Sequence, residues 1–272
     1  MLELEILGGS ATAPTAHGAA SSYLVHGRTG LILVDAGPGS LLAYCQAGHD
    51  LAELRAIVVT HLHADHSLDL MAWAYRWTFP QVRPRIPVYV PREEIDRLRR
   101  FDELFGIESL PTMNSPILQS WEIRGLARDG VTSLEADGLQ FRSYAAHHSV
   151  PSAALRFESP DGGVVAFSSD TGYCRPVLEA AADADIFVCE ATYLEADDDA
   201  LVGHGHLTAR MAGELASEAS VRRLVLTHLS DPAMGAQALV DAAEVFRGPV
   251  QLSVAGETIR PSSVVERGGG AG

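Results

Sequence analysis

A short apolar segment that runs directly into a cluster of histidines most constrains what this chain can fold into. Residues 57–60 are IVVT, and this β-rich run predicts a buried strand. Three histidines and one aspartate follow within six positions, namely His61, His63, Asp65 and His66. Ligands of open α/β sheets usually bind just beyond the carboxyl ends of the strands. The segment therefore predicts a strand-to-helix turn that carries a binding site.

The clustered side chains are of types that bind metals. Imidazole nitrogens and carboxylate oxygens suit zinc, manganese and iron, and composition does not choose among them. A single histidine at such a turn is more often structural, but a surface loop gains nothing from four adjacent titratable groups. The three cysteines, Cys45, Cys174 and Cys189, have no paired spacing, which predicts free, mostly buried thiols and no cysteine-bound metal.

Strand and helix patterns alternate through both halves of the chain, which predicts a layered α/β fold. Leu70, Trp73, Ala74 and Trp77 recur at the spacing of one helix face, and we expect a buried stripe there rather than a surface that stacks on substrate. No linker or repeat divides the 272 residues. We therefore expect one domain over residues 1–265, followed by a flexible glycine-rich tail over 266–272.

The charge balance bears on partners and location. Lys and Arg total 20 against 35 for Asp and Glu, so the formal net charge is −15, which repels polyanions at long range unless a local basic patch overrides it. The N-terminal segment is not a basic region followed by an apolar one, and no stretch approaches about 18 uninterrupted apolar residues. We expect neither a signal peptide nor a membrane span, and hence a cytoplasmic protein.

Three further strand-like runs end in residues of metal-binding type. Asp170 follows the run at 164–168, and His228 follows the run at 224–227. The third run, at 139–145, is followed by the adjacent histidines His147 and His148. These two compete for one role, because neighbouring strand positions point in opposite directions.

These residues resemble those of the metallo-β-lactamase superfamily. Its H-x-H-x-D-H signature is matched at positions 61, 63, 65 and 66, while Asp35, Asp170 and His228 match its early strand-end aspartate, its later bridging aspartate and its final histidine. Within the superfamily the chain is similar to ribonuclease Z and its short-form relatives, through FVCEATY at 187–193, HGHLTA at 204–209 and LTHLS at 226–230. The resemblance covers nearly the whole chain. It implies a four-layer αββα sandwich, with two mixed sheets packed face to face and helices outside.

The resemblance also implies a centre with two divalent metal ions, zinc in the first place and manganese or iron as alternatives. His148 is chosen over His147, because Arg156 follows it by eight residues as in the resembled group. Two such ions can share a hydroxide and neutralise charge on the attacking and leaving oxygens, which implies a hydrolase. One ion is expected on His61, His63 and His148, and the other on Asp65, His66 and His228, with Asp170 bridging them.

Asp65 and His206 are the expected catalytic residues. In the resembled group the histidine that matches His206 assists the leaving group, which a protonated imidazole would do by stabilising a departing alkoxide. A histidine that only caps the following helix is the alternative. His17 lies in a loop and is expected either to touch substrate or to be solvated, and His26 and His49 are expected at the surface.

The resemblance leaves the substrate open. Ribonuclease Z has a long arm for transfer RNA between the ligand histidine and the bridging aspartate, whereas only 21 residues separate His148 from Asp170 here. This spacing and the acidic balance argue against transfer RNA as a substrate. We expect phosphodiester hydrolysis of a small molecule or cyclic nucleotide. Hydrolysis of a thioester, lactone or ester, and a metal-binding sensor without turnover, are the alternatives. The resemblance also suggests a homodimer.

Overall fold

Two β-sheets packed face to face form the centre of the molecule. The computed structural model describes residues 2–127, 129–133, 139–195 and 204–261, and of residues 129–133 the backbone alone. The first sheet contains β1 (Glu3–Ser10), β2 (Ala19–Ala20), β3 (Ser22–His26), β4 (Leu31–Val34), β5 (Leu54–Val58), β6 (Ile86–Pro91), β7 (Trp121–Leu126) and β15 (Thr258–Ile259). The second contains β8 (Asp129–Ser133), β9 (Gln140–Ala146), β10 (Ser152–Glu158), β11 (Val164–Phe167), β12 (Ile186–Glu190), β13 (Leu224–Thr227) and β14 (Val250–Leu252).

Both sheets are mixed. The strand order of the first is β15-β1-β3-β4-β5-β6-β7, with β2 beside β1. Its pairs are antiparallel from β15 to β4 and parallel from β4 to β7. The order of the second is β14-β13-β12-β11-β10-β9-β8, parallel from β14 to β11 and antiparallel beyond. In each sheet, the parallel strands therefore direct their carboxyl ends to one edge.

Helices cover the outer faces of both sheets. On the first sheet lie α1 (Ser40–Gln46), α3 (Asp69–Thr78), α4 (Ile95–Leu104) and α5 (Pro116–Ser120), and on the second lie α6 (Arg175–Ala181), α7 (Ala209–Glu218) and α8 (Gly235–Val245). The short α2 (Ala64–Ser67) precedes α3, and 3-10 turns occupy Leu51–Glu53, Arg92–Glu94 and Pro232–Met234.

Alternating side chains build three apolar layers. Along β4, Ile32 and Val34 face the opposite sheet, whereas Leu31 and Leu33 pack beneath the helices. The alternation follows from the strand period of two residues, and a strand buried on both faces reads as a continuous apolar run. The predicted four-layer αββα sandwich of two mixed sheets is confirmed.

Two expectations about buried residues have different outcomes. Trp73 and Trp77 on α3 are buried in the layer between the first sheet and its helices, which confirms the predicted core stripe. The cysteines are free thiols, as predicted, but only Cys189 is buried. Cys174 is half-buried and Cys45 is exposed, so the expectation of mostly buried thiols is wrong. Cys45 lies on the outward face of the short α1, where nothing covers it among the described residues.

The predicted extent of the domain stays a prediction. The described residues end at position 261, so the expected tail at 266–272 lies outside them. Among the residues that the structure describes, each helix is too short or too polar to cross a bilayer.

Phe157 tests the layer between the sheets. Its ring is fully buried and lies 5.5 Å from the Phe141 ring and 5.9 Å from the Phe167 ring, measured between centroids. We expect Phe157→Ala to lower the free energy of unfolding by about 3–5 kcal/mol, because it removes the buried ring and leaves a cavity. Leu104→Ala, at a position that is 75% exposed, is the control and should change it by less than about 0.5 kcal/mol. Urea unfolding of metal-free protein measures both, and equal midpoints would contradict this packing.

Candidate metal centre

Strand ends from both sheets meet at one edge of the sandwich. The turn with His61, His63, Asp65 and His66 follows β5, while His148, Asp170 and His228 follow β9, β11 and β13. The two edges are joined by backbone hydrogen bonds, since the Ala153 N–H donates to the Thr60 carbonyl over 3.1 Å and the His228 N–H donates to the Gly9 carbonyl over 2.9 Å. All seven sequence-predicted ligands are therefore brought to one place.

The first group consists of His61, His63, His148 and Asp170, whose ligand atoms all lie within 4.8 Å of one another. His63 Nδ1 lies 3.1 Å from His148 Nε2. Asp170 Oδ2 lies 3.6 Å from His61 Nε2 and 3.9 Å from His148 Nε2. His147, in contrast, is exposed, and its backbone pairs with Gly172.

The second group consists of Asp65, His66 and His228, again with ligand atoms within 4.8 Å. Asp65 Oδ2 lies 3.1 Å from His228 Nε2, and the Nε2 atoms of His66 and His228 lie 3.3 Å apart. Asp170 reaches this group as well, with Oδ1 3.3 Å from His66 Nε2 and Oδ2 3.5 Å from His228 Nε2. The buried carboxylate of Asp170 thus lies between the two groups.

Hydrogen bonds at the far side of the rings aim nitrogen lone pairs into the centre. The Thr60 hydroxyl donates to Asp35 Oδ2 over 3.0 Å, so it accepts from His61 Nδ1, which lies 3.2 Å away. His66 Nδ1 lies 2.7 Å from Asp35 Oδ2, and His148 Nδ1 lies 2.9 Å from the Gly205 carbonyl oxygen, so both donate there. Each of these rings then presents Nε2 to the centre, which is how supporting groups orient metal-binding histidines.

His228 is oriented in the same way through Thr192. The Thr192 hydroxyl donates to Glu190 Oε2 over 2.6 Å, so it accepts from His228 Nδ1, 3.1 Å away. This leaves Nε2 of His228 facing Asp65 and Asp170.

One buried atom shows that the residues fit a cation. His61 is 0% exposed, and among the described residues nothing forms a hydrogen bond with its Nε2. An unsatisfied buried polar atom costs about 1–3 kcal/mol, so native proteins seldom leave one. A positive ion bound by Nε2 would give this atom its partner.

The charges around the centre also suit a cation. Burial lowers the pKa values of His61, His63 and His148, so their rings are neutral donors. Burial opposes ionisation of Asp65 as well, but the hydrogen bond with His228 and the charge of His66 outweigh it and hold the pKa of this carboxyl below its usual range. Burial alone would lower the pKa of His228, but Asp170 and the hydrogen bond with Asp65 raise it. The carboxylates of Asp65 and Asp170 therefore favour positive charge at the position where a metal ion would bind.

Two glycines allow the chain to approach this closely. At Gly205, which has φ of +68°, a Cβ would lie 2.3 Å from the His147 carbonyl oxygen and 2.7 Å from His148 Cα. At Gly37, a Cβ would lie 2.1 Å from the Asp65 carbonyl oxygen. Any larger residue would displace His148 or the turn of Asp65, because Cβ atoms do not approach backbone to these distances.

His206 faces the centre and does not cap the following helix. The N-cap of α7 is Thr208, whose hydroxyl accepts from the Met211 N–H. The centroid of the His206 ring lies 5.0 Å from that of the His148 ring and 5.8 Å from that of the His228 ring. A ring nitrogen of His206 lies within 4.8 Å of a carboxylate oxygen of Asp170 and of a ring nitrogen of His228. The alternative that His206 is only a cap therefore does not fit the structure.

Glu190 supports the site, although the FVCEATY segment by itself indicated no role for it. It ends β12, is 1% exposed, and accepts hydrogen bonds from the Thr171 N–H over 2.7 Å and the Thr192 hydroxyl over 2.6 Å. Its Oε1 lies 2.9 Å from His206 Nδ1. An acid that ends an otherwise apolar strand was the available signal, because a buried carboxylate needs partners.

His17 lies beside the centre rather than in it. It is exposed and lines a cleft of about 710 Å³ together with His228 and Asp231. His228 is thus the point at which the centre borders this cleft.

The sequence matches a known protein family. A family model of the beta-lactamase superfamily domain matches residues 31–229. The ribonuclease Z of Streptomyces coelicolor is 31% identical over 260 residues, covering 84% of this chain and 86% of that protein. The chain belongs to the metallo-β-lactamase superfamily. It is a metal-dependent hydrolase of ribonuclease Z-like type.

Solved structures share the fold. YhfI, a metallo-β-lactamase fold protein of Bacillus subtilis, has a TM-score of 0.80 at 21% identity and covers 96% of this chain and 100% of its own. The short form of human tRNase Z has a TM-score of 0.75 at 21% identity, again covering 96% and 100%.

The expectation that transfer RNA is an unlikely substrate is wrong. The relative named ribonuclease Z is 31% identical and aligns over most of both chains. The net charge of −15 averages over the whole surface, whereas binding of a polyanion depends on the local field, to which bound cations would contribute. The short segment between His148 and Asp170 leaves the candidate metal centre complete.

Asp35 tests how the centre is supported. Asp35 has φ of +61°, a conformation that Asn also tolerates, so Asp35→Asn keeps the backbone. The two carboxylate oxygens of Asp35 accept from the Thr60 N–H, the Thr60 hydroxyl and His66 Nδ1. The substitution replaces one of these oxygens by an NH2 group that cannot accept, so we expect metal affinity to fall about 10–100-fold. Chelator competition measures the affinity.

Asp69→Asn is the matched control, because Asp69 accepts only from the Leu41 N–H and the Ser40 hydroxyl of α1 among the described residues. Unchanged affinity in Asp35→Asn, or an equal loss in both variants, would contradict the supporting role.

Proposed function

We propose that the protein is a phosphodiesterase with a dinuclear metal centre. His61, His63 and His148 would hold one ion, Asp65, His66 and His228 the other, and Asp170 both. The observation that carries this proposal is the position of Asp170, whose two oxygens lie within 3.9 Å of ring nitrogens from both groups. Zinc is the proposed ion because the donor set is rich in imidazole, and manganese and iron accept the same donors.

The bound ions would supply a water of lowered pKa and positive charge beside the phosphate. Asp65, ionised because the pKa of its carboxyl lies below its usual range, is proposed to accept the proton of the attacking water. Asp170 is proposed only to hold the ions, because its two oxygens face ring nitrogens of both groups.

His206 is proposed to donate a proton to the leaving oxygen. Burial opposes protonation of the ring, but the hydrogen bond with Glu190 and the negative charges of Glu190, Asp170 and Asp65 raise the pKa of His206 above its ordinary value. Glu190 holds Nδ1, so Nε2 is the atom that would carry the transferable proton. A general acid placed beside the metal ligands favours departure of a poor leaving group such as a sugar alkoxide.

The proposed substrates are phosphodiesters of nucleotide type. The His206–Glu190 pair suits an alkoxide leaving group, which cyclic nucleotides and RNA both have. RNA is a proposed substrate because the Streptomyces relative is named ribonuclease Z. Transfer RNA is therefore among the substrates to be tested.

A panel of substrates tests the reaction class. We expect the metal-loaded enzyme to hydrolyse bis(p-nitrophenyl) phosphate, a cyclic nucleotide or a transfer RNA precursor faster than p-nitrophenyl acetate or a thioester. Chelation should abolish turnover, and added zinc or manganese should restore it. Faster turnover of the carbonyl substrates would instead make the protein an acyl hydrolase. A metal-loaded protein inert towards all of them would be a binding protein.

The leaving group tests His206. With a cyclic nucleotide, we expect His206→Ala to lower kcat about 10²–10⁴-fold, because an alkoxide must be protonated as it departs. With bis(p-nitrophenyl) phosphate the loss should be much smaller, because p-nitrophenolate is a weak base and leaves unprotonated. Metal content should stay unchanged.

His204→Ala is the control, since His204 is exposed and lies two positions away. An equal loss of kcat for both kinds of leaving group in His206→Ala would show that this histidine acts on the metal centre and not as an acid.

A further inference from the structure

A second cluster of metal-binding side chains lies away from the candidate metal centre. Glu5, His26 and His49 have ligand atoms within 4.8 Å of one another. His26 lies on β3 opposite Leu31, the first residue of β4, whereas Asp35 of the candidate centre follows the last residue of β4. The cluster therefore belongs to the opposite end of these strands.

A single carboxylate oxygen joins the two histidines. Glu5 Oε2 lies 2.8 Å from His26 Nε2 and 2.9 Å from His49 Nε2. The side chains of Glu5, His26 and His49 are 9%, 24% and 18% exposed, so the two histidines expected at the surface are half-buried there. The reason is that β1, β3 and the turn after α1 fold onto each other, which no local sequence pattern reveals.

The three side chains are fixed by different elements. Glu5 is held in β1 between Leu24 of β3 and Thr258 of β15. His49 follows Gly48, which ends α1 with φ of +87°. The His49 ring packs 5.2 Å from the buried Tyr44 ring. The donor atoms thus converge without flexible surface side chains, which reduces the entropy lost when a ligand binds.

The donors have the charge and type that a transition metal needs. Burial opposes ionisation of Glu5, but hydrogen bonds from His26 and His49 lower its pKa below the ordinary value, so it is a carboxylate. Two imidazoles and one carboxylate are a zinc-binding set in proteins, with a fourth position left for water. Glu5 also lines a cleft of about 510 Å³, through which an ion would enter.

A neighbouring acid supports the tautomer that metal binding requires. An ion bound at His49 Nε2 moves the ring proton to Nδ1, and Glu53 Oε2 lies 3.6 Å from that atom. Glu53 is itself held, because its Oε2 accepts from the Asp50 N–H over 2.9 Å. A carboxylate behind a metal-binding histidine raises its basicity and fixes its ring.

We propose that Glu5, His26 and His49 bind a divalent transition-metal ion such as zinc, at a structural site separate from the candidate metal centre. The ion replaces the two Nε2 protons that now face Glu5 Oε2. It ties β1, β3 and the turn after α1 together, and so stabilises the folded chain by its binding free energy.

Metal stoichiometry tests the proposal. The double variant His26→Gln/His49→Gln keeps amide donors towards Glu5 but removes both nitrogen ligands. After zinc loading and desalting, we expect it to retain one ion per chain fewer than the unaltered protein, and its melting temperature should rise less with zinc. His17→Gln, which changes an exposed histidine outside the cluster, should match the unaltered protein. Equal zinc content in the double variant and the unaltered protein would overturn the proposal.

A measurement on the unaltered protein removes any dependence on how the variant folds. Crystals of zinc-loaded protein should show an anomalous difference peak at the zinc edge between Glu5, His26 and His49. Clear electron density for the three side chains without an anomalous peak between them would show that they form only hydrogen bonds and bind no metal. This outcome does not depend on what the candidate metal centre contains.

Discussion

The contacts of the buried Asp170 carboxylate are the constraint on which the rest of the site depends. A buried carboxylate without partners is costly, because its charge loses the solvation that water provides. Asp170 is 2% exposed, and its partners come from both sheets, His61 and His66 from the first and His148 and His228 from the second. The contacts of Asp170 with these four histidines therefore connect the two sheet edges at the candidate metal centre.

Strained backbone at the strand ends aims the side chains. Asp35, Ser169 and His228 each have φ between +56° and +61°, and all three directly follow or lie close to the end of a strand. Left-handed residues other than glycine cost about 1–3 kcal/mol each and persist where surrounding contacts hold them. Here the holding contacts are visible, since Asp35 accepts from the Thr60 N–H and the His228 N–H donates to Gly9. The left-handed conformation turns the chain out of the sheet at the positions where these residues, or their neighbours, face the candidate metal centre.

Buried carboxylates recur as the means of fixing histidines in this fold. Asp35 holds His66, Glu190 holds His206, and Glu5 contacts His26 and His49. The first two lie at the carboxyl ends of β4 and β12, next to Asp170, where the histidines are proposed to bind metal or move a proton. Glu5 lies within β1 on the helix-covered face, remote from that edge, so an ion there would affect stability and not the reaction. The same chemical pair thus has different consequences according to its place along the strands.

The sequence by itself determined the features that local order controls. The apolar run before His61 predicted a strand, the spacing of Trp73 and Trp77 predicted a buried helix face, and the density of ligand types at 61–66 predicted the candidate metal centre. These depend on residues within one element, whose period or spacing can be read directly. Only the tertiary structure decided that Glu190 supports His206, that Thr208 and not His206 caps α7, and that His26 and His49 share Glu5. Each of these depends on contacts between residues that sheet register and helix packing bring together. Such contacts cannot be read from a local pattern in the sequence.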